Sequence, residues 1–185
     1  MSLRAKILCG YAAILCLLGV MSVWAVTDLL ALGRASAAIL SENYRSILAA
    51  ENMIDHLERQ DSASLLALLG QVETGRSQFT QHQGEFQRWL ARAEDNVTID
   101  GEAEILQSIV LAYRDYVAAF GDLPVGPTAG DVAAEAYASK MLPPFSRVHD
   151  ACVELRELNQ QTMVGASEQA QATSRRAGVT ISAAG

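Results

Sequence analysis

The sequence predicts an all-α protein: an antiparallel up-down four-helix bundle with an N-terminal transmembrane helix continuous with the first bundle helix. Three observations carry this. The stretch from Ile7 to Val26 (ILCGYAAILCLLGVMSVWAV) holds twenty residues and no charge. No proline occurs before Pro124, and no segment shows the period-two alternation of β-branched residues that marks strands. Apolar residues recur instead at three- and four-residue spacing, which places them on one face of a helix.

The apolar run comes first. Twenty residues at about 1.5 Å each make roughly 30 Å of helix, the thickness of a bilayer's hydrocarbon core. A single segment in lipid must satisfy its own backbone, so it spans as a helix. Gly10 and Gly19 are tolerated in such a helix, and Trp24 lies near its end, where an indole favours the headgroup layer. Arg4 and Lys6 precede the run, and Asp28 is the first charge after it. The positive-inside rule then places residues 1–6 in the cytoplasm, 7–26 across the membrane and the remainder outside. A cleaved signal peptide would have a shorter apolar core, of about 7–15 residues, and a small-x-small site after it. Trp24-Ala25-Val26 is a poor site of that kind. The formal net charge of -7 argues against nucleic acid as a partner; membrane lipid is the partner the span implies. Three cysteines give no disulfide framework. Cys9 and Cys16 lie within the span, and Cys152 is expected to be a small buried hydrophobe.

The first outer helix continues from the span. Leu40, Asn43, Ile47, Ala50, Ile54 and Leu57 form one seam, and only Gly33 weakens the helix before Leu57. Arg59-Gln60-Asp61-Ser62 is expected to interrupt it, with Asp61 or Ser62 capping a second helix. That helix is expected from about Ala63 to Ala93, on a seam of Leu65, Leu69, Val72, Phe79, Phe86, Leu90 and Ala93. Gly70, Gly75 and Gly84 are expected to let it bend or fray, at about 1 kcal/mol each relative to alanine. A turn follows at residues 95–101. The third helix runs from about Glu102 to Phe120, capped by Asp100, with Ile105, Ile109, Tyr113, Tyr116 and Phe120 on one face. Glu102 and Glu104 suit its N-terminal dipole. Gly121 to Gly130 (GDLPVGPTAG) is a loop by composition. The fourth helix begins near Asp131 and is broken or kinked at Pro143-Pro144, where two N–H donors are missing. Phe145, Val148, Cys152, Leu155 and Leu158 continue its seam. After Arg175-Arg176 come nine uncharged residues, AGVTISAAG. Nine are too few to span a membrane, and residues 177–185 are read as the start of a second, truncated transmembrane helix. Residues 27–176 then form the bundle between two spans.

Two stretches carry a resemblance. SENYRSILAAENMIDHLERQDSASLLALLG, from Ser41 to Gly70, and LPPFSRVHDACVELRELNQQTM, from Leu142 to Met163, resemble the sensor region of KinB-like transmembrane histidine kinases. The resemblance covers nearly the whole chain and implies a bacterial inner-membrane protein with a cytoplasmic N-terminus, a periplasmic four-helix sensor domain and a homodimeric state. In such kinases the second span leads to a HAMP-type linker, a dimerisation and phosphoacceptor helix pair and an ATP-binding domain. None of these lies within the present residues, so the chain itself is not expected to be an enzyme.

His149-Asp150 resembles a phosphoacceptor box, but Glu154 stands where the family's proline would be. His149-x-x-Cys152 supplies two metal ligands of the four a closed zinc site needs. Covalent haem needs Cys-x-x-Cys-His, which is absent. No phosphate-binding glycine loop has the required spacing, and the serines have no assignable His/Asp partner. No cofactor and no metal site is therefore predicted. Asn43 is the most informative polar residue, because a polar side chain in an apolar seam commonly fixes register or partner number. Tyr44 and Arg45 follow it and Arg59 ends the helix. Asn43, Tyr44, Arg45 and Arg59 are the candidate binding residues, for a membrane-proximal small-molecule or ionic signal, an anion bound across a dimer in particular. The expected function is the extracytoplasmic input domain of a sensor histidine kinase. The alternatives are a chemoreceptor-type ligand-binding bundle and a membrane-anchored helical binding or scaffold protein.

Overall fold

The computed structural model describes residues 3–123 and 130–183. Among them every regular element is helical: α1 (Leu3–Leu68), α2 (Val72–Glu94), α3 (Glu102–Gly121), α4 (Gly130–Ala136), a π-helical turn (Tyr137–Met141) and α5 (Leu142–Ala183). The chain divides into two compact units, Ser41–Gly165 on the one hand and Met1–Leu40 with Ala166–Gly185 on the other. One described segment, Lys6–Asp28, is long and apolar enough to cross a membrane. Every large apolar side chain from Ile7 to Val26 is exposed.

α1 corrects the first expected boundary. It does not break at residues 59–62 but continues to Leu68. Gln60 is buried, and its Oε1 accepts a hydrogen bond from the Tyr113 hydroxyl at 2.8 Å. Asp61 Oδ2 accepts from the Tyr137 hydroxyl at 2.8 Å. The Ser62 and Ser64 hydroxyls donate to the backbone carbonyls of Glu58 and Asp61. Polar residues that locally look like a stop are thus satisfied by partners from α3 and the π-helical turn, or by their own helix. The helix stops at Gly70 instead. Gly70 has φ +92°, its N–H reaches Ala67 O, and Gln71 N–H reaches Leu66 O. This is a Schellman ending, in which a left-handed glycine lets the last carbonyls find donors. With the boundary moved, Leu65 and Leu69 are exposed and leave the α2 seam, while Phe79, Phe86, Leu90 and Ala93 remain buried.

Gly75 is not a point of fraying. A Cβ there would lie 2.6 Å from Ala63 O and 2.9 Å from Ala67 Cβ, so the missing side chain lets α1 and α2 approach closely. At the other end of α2 the Asn96 amide donates to Glu42 O at 2.8 Å and to Ser46 Oγ at 2.9 Å. Residues early in α2 therefore meet residues late in α1, and the reverse. The stacked pairs Phe86–Tyr113 and Phe79–Phe120 set the same opposed order for α2 and α3. Tyr116–Phe145 and Glu102–Asn159 set it for α3 and α5.

α3 is not capped by Asp100. Gly101 occupies the cap with φ +97° and no side-chain cap bond. The buried Glu102 carboxylate takes that role in reverse, accepting from Thr98 N and Ile99 N through Oε2 and from Asn159 Nδ2 through Oε1. The buried face carries Leu106 rather than Ile105, together with Ile109, Tyr113 and Tyr116. The Pro143-Pro144 pair falls in the first turn of α5, directly after the π-helical turn. Leu142 N–H bonds to Tyr137 O, the wider i→i+5 pattern of a π-turn. Val148, Cys152 and Leu155 are buried, as their spacing predicts. Residues 124–129 of the expected loop and 184–185 of the expected second span lie outside the described residues.

Candidate functional site

The four residues singled out in the sequence do not form one site within the chain. Asn43 is buried, as its place in the seam predicts, and its Nδ2 has no hydrogen-bond partner among the described residues. Tyr44 and Arg45 are exposed. Arg59 lies fourteen residues beyond Arg45, about 21 Å along the helix, and its Nε donates to Asp55 Oδ2 at 2.8 Å. The Arg59 guanidinium holds the Asp55 carboxyl below the usual carboxylate range.

Arg45 does belong to a cleft. With Leu48 from α1 it lines an open cleft of about 320 Å³, closed on the other side by Trp89, Arg92, Asp95 and Asn96 from the end of α2. The Arg92 guanidinium lies over the Trp89 ring, 4.3 Å from its centroid, a cation–π contact that restricts a long side chain. Arg92 is also in the last turn of α2, where the helix dipole favours a cation. The Asn96 amide ties this end of α2 to α1. The guanidiniums of Arg45 on α1 and Arg92 on α2 line the cleft together with the Asp95 carboxylate, and neither makes an ion pair with the described residues. Arginine presents a planar fork of donors suited to carboxylate or phosphate oxygens, while Trp89 and Leu48 offer apolar surface beside them. The arrangement suits a small anion carrying an apolar or planar part. Trp89 and Arg92 were missed in the sequence. Their i, i+3 spacing was legible, but their meeting with Arg45 depends on how α2 packs on α1.

A second polar layer crosses the core. The pairs Tyr113–Gln60 and Tyr137–Asp61 lie next to each other along α1. Burial raises the Asp61 carboxyl above its usual value in spite of the Tyr137 hydroxyl. It also raises the Tyr113 and Tyr116 phenols, and Tyr137 is pushed up to about 12 by burial and by Asp61. Asp61 Oδ1 and the Tyr116 hydroxyl are buried without partners among the described residues. Beside this layer His56 and His82 stack across α1 and α2. Cys152 is buried and its thiol is pushed up to about 12, so it is a packing residue. His149 lies against Phe145 and Asp150 on α5. No group of three or more His, Cys, Asp or Glu among the described residues is placed to hold a metal ion.

The chain matches no family model, no curated protein and no solved structure. The functional reading therefore rests on the residues and their placement.

Proposed function

We propose that the chain is the extracytoplasmic, signal-sensing input region of a membrane-bound two-component sensor histidine kinase. One observation carries the reading. The exposed apolar segment Lys6–Asp28 belongs to the same helix, α1, that supplies Asn43, Met53, Leu57 and Gln60 to the core of the compact unit Ser41–Gly165. A helix that is both membrane anchor and core element links binding at the unit to displacement of the span. Shifts of about 1–2 Å in a packed helix are enough for signalling, provided the ligand binds the two arrangements with different affinity.

In this reading the opposed contacts among α1, α2, α3 and α5 are those of an antiparallel up-down four-helix bundle. Residues 1–6 are cytoplasmic, 7–26 span a bacterial inner membrane, 27–176 form the periplasmic sensor and 177–185 begin the second span. The protein acts as a homodimer, and phosphoryl transfer belongs to modules downstream of this chain. The Arg45–Arg92–Trp89 cleft receives an anionic signal. Arg59, paired with Asp55, lies outside it.

The coding sequence after Gly185 tests this. The proposal expects the rest of a second span, then a linker, a phosphoacceptor helix pair and an ATP-binding domain. A long methyl-accepting coiled coil in their place makes the chain a chemoreceptor. A stop codon makes it a membrane-anchored binding or scaffold protein, and either result overturns the kinase reading.

A further inference from the structure

His56 of α1 and His82 of α2 approach with Nδ1 to Nδ1 at 3.2 Å and ring centroids 5.4 Å apart. At that distance one proton lies between the nitrogens, so one ring donates and the other accepts. We propose that this pair is a proton-operated latch between α1 and α2, closed while the pair carries at most one extra proton and released when both rings are protonated. Its use as a signal rests on the input-region reading above; its chemistry does not.

The proton count requires this behaviour. When both rings are neutral, one carries its proton on Nδ1 and the other on Nε2, and the bond forms. The first added proton leaves one Nδ1–H facing one lone pair, and the bond becomes charge-assisted. The second puts an N–H on both nitrogens. No acceptor then remains between them, and two imidazolium charges face each other in a half-buried contact.

The surroundings offset that charge only in part. On α1 the facing groups are Asp55, 4.0 Å from His56 Nδ1, and Arg59, which is bonded to it. On α2 the facing group is Glu85, itself paired with Arg88 at 2.9 Å. From α3 the neutral Tyr113 enters, through Gln60. Two carboxylates and one guanidinium act on His82, less than the charge of two imidazoliums. Burial, then the charges of His56 and Arg59, lower the proton affinity of His82 against the pull of Asp55 and Glu85. A histidine whose folded value is lowered contributes its full stability above its unfolded value, about pH 6.5. That stability is lost as pH falls through the window below it.

Position gives the latch leverage. Among the described residues, the other side-chain hydrogen bonds joining α1 to α2 and the turn just after it are made by amides and do not titrate: Asn96 with Glu42 and Ser46, and Gln60 with His82 O at 3.5 Å. Close packing at Gly75 holds the opposite end from Asn96. The histidine pair lies between the Asn96 and Gly75 ends, so its release leaves the long Gln60–His82 O bond as the remaining polar contact at the middle of the helix pair. Two nitrogens at this spacing also suit a tetrahedral metal, but no third ligand completes a set among the described residues.

The test is a histidine titration of the full 185-residue chain in lipid nanodiscs, with ¹⁵N-labelled imidazoles followed by NMR from pH 8 to pH 4.5. The latch predicts two steps for His56 and His82, differing at least tenfold in proton affinity. Amide exchange in α1 and α2 around them, corrected for intrinsic rate, should rise at least tenfold across the second step. His82→Gln should abolish that rise. Independent titration of both rings at ordinary values, or an unchanged rise in His82→Gln, overturns the proposal. So does micromolar Zn²⁺ that shifts both rings at pH 7.5 and suppresses their titration, which would assign the pair to a metal. If the variant does not fold, the wild-type titration decides alone. Failure here leaves the input-region reading standing, because no kinase output enters the measurement, and loss of that reading leaves the titration as it is.

Discussion

Gln60 and Asp61 are neighbours in α1, and each is reached by a tyrosine from a different element. Asp61 shows what such a position costs. Its carboxyl is raised by burial, so between the ordinary carboxylate value of 3.8 and its own higher value the folded chain binds more protons than the unfolded chain. The ionised group therefore weakens the fold at neutral pH, and the weakness is relieved as pH falls through the folded value. Asp61→Asn keeps an acceptor for Tyr137 and removes the charge. It should raise the urea midpoint at pH 7, and the gain over wild type should shrink towards pH 4. Glu102 is the opposite case, a buried carboxylate with three donors. Glu102→Ala takes away the partner of Thr98 N–H and Ile99 N–H and one of the two partners of the Asn159 amide, and should destabilise by about 3 kcal/mol, read from the same unfolding curves. At this scale Asn43 was legible, because a seam predicts its own polar exception. Gln60 and Asp61 were not, because their partners lie 53 and 76 residues away.

Helix identity follows from apolar period, but boundaries follow from which polar groups find partners. The α1 ending illustrates this. The run at residues 59–62 carried every local sign of a cap, yet tertiary tyrosines kept it helical. Gly70 carried the real signal, a residue free to adopt positive φ at a helix end. Pro143-Pro144 was legible as a perturbation, but the π-turn that immediately precedes α5 was not. The glycines of α2 separate in the same way. Gly75 faces the α1 backbone, whereas Gly84 has open space around its Cβ position. Gly75→Ala should destabilise by about 1–3 kcal/mol through overpacking. Gly84→Ala should stabilise by about 0.5–1 kcal/mol through helix propensity. Thermal or urea unfolding of the two variants checks the opposed signs; equal signs would contradict the close approach of α1 and α2.

The whole molecule was legible in outline because its largest signals are composition and period. A twenty-residue uncharged run and long amphipathic blocks point to a helix long and apolar enough to cross a membrane and to a helical core, without any tertiary information. The cleft was legible only by half: Arg45 stood out beside Asn43, while Arg92 and Trp89 joined it through packing. The same helix carries the apolar segment, one wall of the cleft and one half of the histidine pair, so a change at either polar site acts on the element that carries the apolar segment. The central claim is that packing within residues 41–165 controls an output across the membrane. It is tested by joining the chain after α5 to the cytoplasmic linker and kinase modules of a sensor kinase, in the seven junction registers of one heptad. ATP-dependent histidine phosphorylation is then measured in membrane vesicles for the parent chain, for Arg45→Ala/Arg92→Ala and for Gly75→Ala. The account predicts a severalfold difference from the parent in at least one active register. Equal phosphorylation of all three chains in every register would contradict it.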